Sequence, residues 1–131
     1  MSTRPRIKKF PAIVNGDMTQ PTLTSIASII EDLTLLGYSY SWSGTSPVGT
    51  VHVEVSNDYA LNPDGSVGNA GTWTTITVDY NGSAVTTVPV AGNTGTGFIN
   101  VNGIAAYAMR TVYTSASGSG TLNSILNAKV A

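Results

Sequence analysis

Hydrophobic and polar residues alternate along most of this chain. Residues 48–57 (VGTVHVEVSN) are the clearest case, with Val51, Val53 and Val55 on one face and His52, Glu54 and Ser56 on the other. Residues 35–42 (LLGYSYSW) place Tyr38, Tyr40 and Trp42 on a common face, and residues 72–80 do the same with Thr74, Ile76, Val78 and Tyr80. Shorter runs at 84–90 and 97–101 follow, and residues 104–114 and 121–130 close the chain. Residues 22–33 fit two readings. Leu23, Ile26, Ile29, Ile30 and Leu33 recur at helical spacing, whereas the β-branched content favours a strand. Turn chemistry separates the runs: Ser46 with Pro47, then Pro63, Asp64 and Gly65, then Asn81 with Gly82, Gly92 with Asn93, and Ser117 with Gly118. Asn81 and Gly82 predict a type I′ hairpin, whose two central residues both need positive φ. Residues 57–71 form the one long stretch without periodicity, and a loop of that length is usually functional or mobile. The pattern predicts an all-β chain: a single jelly-roll-like β-sandwich of about eight strands over 23–131, following an extended arm over 1–22.

Composition changes this picture in one respect. Charged residues make up 10 %, whereas Gly, Ser, Thr and Asn account for 56 of 131 residues, so the surface is built from small neutral polar groups. No apolar run is long enough to span a bilayer as a helix. Cys is absent and His occurs once, which excludes disulfides and multi-His or Cys-ligated metal centres. Charge is also segregated. Arg4, Arg6, Lys8 and Lys9 supply four of the six basic residues, and the remainder of the chain is acidic. Pro5 and Pro11 flank this basic stretch and disfavour a helix, hence the extended arm. The start lacks the apolar core of a secretory leader.

Candidate chemistry is sparse. His52 and Glu54 lie two apart on one outward strand face, but no nucleophile accompanies them, and no pair of carboxylates has glycosidase spacing. Asp58, Tyr59, Asn62 and Asp64 gather in the long loop as a candidate ligand site. They lack the regular carboxylate spacing of a calcium loop, so no metal and no cofactor is assigned. An acidic body with a basic arm argues against specific nucleic-acid binding. Arg110, alone in its strand, calls for a carboxylate such as Glu54 or Asp79. The stripe Tyr38, Tyr40 and Trp42 has two readings: core, or an exposed carbohydrate-binding platform.

Three segments together, GTVHVEVSND (49–58), GTWTTI (71–76) and AYAMRTVYTSASGSGTLNSIL (106–126), resemble small β-sandwich structural proteins of bacteriophage virions. The resemblance covers residues 37–126. It implies a non-enzymatic virion component, such as a capsid decoration, head-fibre or tail-associated protein, bound to capsid or other virion proteins and self-associating as a trimer or ring. On that reading Arg4, Arg6, Lys8 and Lys9 pair with an acidic partner surface, while Phe10, Ile13 and Val14 fill a groove. The alternative expectation is a carbohydrate-binding module contacting the host surface.

Overall fold

A computed structural model describes residues 7–101 and 104–129. Twelve strands form among these residues. Four precede the long loop: β1 (Lys8–Asp17), β2 (Thr22–Thr24), β3 (Ser28–Ile29) and β4 (Leu35–Ser56). The loop holds β5 (Ala60–Leu61) and β6 (Val67–Asn69). Then come β7 (Thr74–Thr75), β8 (Val78–Tyr80), β9 (Ser83–Val85), β10 (Val88–Ala91), β11 (Thr94–Asn100) and β12 (Ala108–Lys129). The count exceeds the expected eight because several runs split into short pieces while others fuse. No helix forms among the described residues. Residues 22–33 give β2 and β3, both paired with β12, and Ser25 and Thr111 are tied by Ser25 N donating to the Thr111 carbonyl at 2.9 Å.

One ribbon organises the molecule. β4 and β12 are each 22 residues long and pair antiparallel from Leu35↔Lys129 to Ser56↔Ala108. Ser46 with Pro47, and Ser117 with Gly118, were expected to end strands; instead both strands run through them and bend. β12 carries two register shifts between Ser115 and Ser119, and Ser46 and Gly118 both take positive φ. Small residues permit the bend, since a Cβ on Gly118 would collide with the Ser46 carbonyl. Asn93 braces it, with its Oδ1 accepting from Ser46 N at 2.8 Å.

The bend turns the two halves of the ribbon face to face. Each half recruits its own neighbours: β1, β11 and, beyond β11, β8 and β9 extend the first; β2, β3, β7 and β10 extend the second. Inward residues of both halves form the core, including Tyr38, Ile99, Leu122 and Leu126 from one and Val51, Val53, Met109 and Tyr113 from the other. The halves meet at Tyr40, whose hydroxyl lies 2.8 Å from Thr111 Oγ1. Asn81 and Gly82 adopt φ of 52° and 84°, the backbone the β8–β9 hairpin requires.

The basic segment is not a free arm where it is described. Lys8–Asp17 is an edge strand of the large sheet, paired with β12 from Lys8↔Ala128 to Asp17↔Thr121. Ala12, Ile13 and Met18 are buried in the common core. No break therefore falls at residue 22, because β1 and the following strands share one sheet.

Candidate functional site

The outer face of the second half carries a polar cluster built by strand register. Glu54 stands opposite Arg110, and His52 lies two residues before Glu54 on the same face. Arg110 Nε donates to Glu54 Oε1 at 2.7 Å, and His52 Nε2 lies 3.0 Å from Glu54 Oε2. The carboxylate thus bridges a guanidinium and an imidazole. Burial would raise the Glu54 carboxyl, but the hydrogen bonds from His52 and Arg110, with their charges, outweigh it and hold the group below its ordinary value.

Trp73 roofs this cluster. Its ring lies 4.2 Å from Arg110 Cζ, a cation–π contact, and Tyr59 packs against it at 5.7 Å between centroids. The indole Nε1 donates to the Ala70 carbonyl at 2.8 Å. Beside it Asp58 Oδ1 accepts from Ser56 Oγ and Thr72 N, each at 2.7 Å, and these hydrogen bonds keep the Asp58 carboxyl below its usual range. Together these groups clamp the two ends of residues 57–71. The stretch is not an irregular loop but a hairpin, β5–β6, that projects from the body with residues 60–70 all exposed. Its turn closes through Asn62 N to the Ser66 carbonyl at 2.7 Å and Asp64 Oδ1 accepting from Ser66 Oγ at 2.6 Å. Sequence reading missed this hairpin because its strands are two and three residues long.

The expected ligand groups are therefore occupied with one another. Asp58 sits at the base, Asn62 and Asp64 hold the turn, and Tyr59 packs on Trp73. No group of three or more His, Cys, Asp and Glu residues placed to hold a metal occurs among the described residues.

The expected partner-binding residues divide. Arg4 and Arg6 lie outside the described residues. Lys8, Lys9 and Val14 are exposed, Val14 at 64 %. Ile13 is buried and Phe10 packs against the same core, opposite Leu126, so neither is free to fill a partner's groove. The reason is local: β1 is an integral strand, and its inward positions face the core.

The stripe Tyr38, Tyr40 and Trp42 does not form an open platform. Tyr38 and Tyr40 are buried, and Trp42 is half-buried with its Nε1 donating to the Gly92 carbonyl at 3.2 Å. Trp73 gives a ring face to Arg110 and packs against Tyr59.

An apolar groove lies on the opposite outer face, at the end of the first half. Ile7, Leu35, Phe98 and Ala128 wall a space of about 230 Å³, with Lys129 and Asn127 at its margin. Phe98, 47 % exposed, lies over Gly37, where any Cβ would meet the ring.

No protein-family model matches the sequence, and no curated protein matches it. Among solved structures, the SPBc2 prophage-derived protein YomS matches with a TM-score of 0.63 over 97 % of both chains, at 10 % sequence identity. At that identity the likeness is one of fold, and it spans the whole architecture from β1 to β12.

Proposed function

We propose that this chain is a structural component of a bacteriophage particle, a capsid decoration or head- or tail-associated protein that binds neighbouring virion proteins and self-associates. The observation that carries this reading is the likeness of the entire fold to a prophage-derived protein. Three features support it. The surface is neutral and rich in small polar residues, suited to packing against other protein surfaces rather than to long-range charge steering. Glu54, Arg110 and His52 are drawn into one fixed cluster on the outer face. The carboxylates of the long loop hold its shape instead of facing a cleft. Attachment falls to the basic N-terminal segment, with Lys8, Lys9 and Val14 among its exposed residues.

Quantitative mass spectrometry of gradient-purified particles tests this. Stoichiometric copies are expected, in fixed ratio to the major capsid protein. Absence from particles, with abundance in the lysate, would overturn the reading.

A further inference from the structure

The hairpin over residues 57–71 and the apolar groove lie on opposite outer faces. The groove residues Leu35, Gly37, Phe98 and Lys129 share the outward face of the first half with Ser39. The hairpin rises beside Glu54 and Arg110, on the outward face of the second half. Leu61 and Val67 stand opposite one another across the hairpin, 46 % and 55 % exposed. An isolated two-stranded ribbon is marginal in water, and an exposed aliphatic pair on it gains nothing by itself. Yet its base is fixed by Asp58, Tyr59 and Trp73, so the pair is presented in one orientation. Such preorganisation lowers the entropy cost of docking.

The groove complements this projection in shape and charge. A dry cavity of about 150 Å³ accommodates benzene, so 230 Å³ holds a branched aliphatic side chain. Asp58 and Asp64 are the only charges on the hairpin, and hydrogen bonds from Ser66 hold the Asp64 carboxyl below its usual range, hence ionised at neutral pH. On the groove margin stand Lys129 and, opposite Asn127, Lys9. Among the described residues neither lysine has an ion-pair partner. The acidic residues placed by register on this face, Asp17 opposite Thr121 and Asp79 across β11 opposite Asn100, both lie away from the lysines.

We propose that the hairpin of one copy of this chain docks in the groove of the next, Leu61 and Val67 entering beside Phe98 and Leu35 while Asp64 meets Lys9 and Lys129. Because the two surfaces lie on opposite faces, the contact is head-to-tail and closes into a ring when the rotation per copy allows. This deepens the self-association in the proposed function by naming its surfaces, but it is tested on the purified chain alone.

Sedimentation velocity of the full chain distinguishes the outcomes. The wild type is expected to form a closed oligomer. Leu61→Asp with Val67→Asp disables the hairpin, and Ile7→Asp with Lys129→Glu disables the groove. All four positions lie at the surface or at a sheet end, and circular dichroism verifies that each variant stays folded. Either variant alone is expected to be monomeric, with self-affinity lowered about 30-fold or more, as for a lost central anchor. Mixing the two variants restores one intact contact and yields a one-to-one dimer that cannot grow. A monomeric wild type, variants that keep the wild-type oligomer, or a mixture that stays monomeric would each overturn the proposal. An oligomer indifferent to both variants refutes these surfaces while leaving the particle assignment standing.

Discussion

Thr111 joins the two halves of the molecule through its hydroxyl. Its Oγ1 donates to the His52 carbonyl at 3.1 Å, so its remaining capacity is as acceptor, and Tyr40 is the donor. Two residues earlier, Tyr38 is equally buried, but its hydroxyl has no partner among the described residues. The two tyrosines therefore respond oppositely to loss of the hydroxyl. Tyr40→Phe is expected to cost about 1 kcal/mol, whereas Tyr38→Phe is neutral or stabilising, because an unmade hydrogen bond carries only a desolvation penalty. Urea midpoints of the two variants check this. Glu54 makes a further residue-scale prediction. Its folded value lies below the ordinary 4.5, so its contribution to stability is present above that pH and fades as pH falls through the depressed value. Glu54→Gln is expected to lower stability at neutral pH and flatten the loss of stability below about pH 4.5, as read from unfolding midpoints across pH. The His52–Glu54 contact was legible in the sequence, because strand alternation puts residues two apart on one face, whereas Arg110 could be read only as needing Glu54 or Asp79, and the register with β4 selects Glu54. The roof over them was not legible, since Trp73 arrives from a segment whose path depends on the hairpin before it.

Among elements, the ribbon is where local signals and tertiary structure part company. Ser46 with Pro47, and Ser117 with Gly118, carry ordinary turn chemistry and read as strand ends. In the fold they face each other across β4 and β12, so the ladder continues and the turn propensity becomes curvature. Gly118 at φ 82° is the tightest point of this bend. Gly118→Ala is expected to destabilise by at least about 1–2 kcal/mol, from the left-handed backbone and from its collision with the Ser46 carbonyl. Thermal unfolding of the variant measures it. Residues 22–33 show the reverse situation. Their period suits a helix, but β12 offers an unpaired edge that short strands satisfy, and Ile26 is left 66 % exposed where a helix would have turned it inward. Propensity over so short a window yields to available pairing.

At the scale of the whole molecule, the all-β class and most of the inward residues were legible because alternation with a period of two survives any topology. Which runs would become neighbours was not, since nothing local tells Leu35 that its partner is Lys129. The basic segment was misread as an arm for the same reason: its partner, β12, lies at the far end of the chain. Truncation follows from this. Removing residues 1–6 leaves every described strand whole and is expected to preserve stability. Removing 1–14 strips β12 of its neighbour and uncovers the core that Ala12 and Ile13 close, so a broad or abolished unfolding transition is expected by calorimetry. Only the shorter truncation isolates attachment from folding.

The ribbon also dictates when this protein can fold. Every rung between β4 and β12 joins residues on opposite sides of the chain's midpoint, and β12 is the strand against which β1, β2, β3 and β4 all pair. β12 thus emerges after all four of these partners. Until it arrives, four strands hold unpaired edges, and non-local pairing of this kind folds on a timescale of about milliseconds to seconds. Pairing of the ribbon consequently waits for β12, and loss of residues 121–129 removes a strand between β1 and β4 rather than one at the sheet's margin.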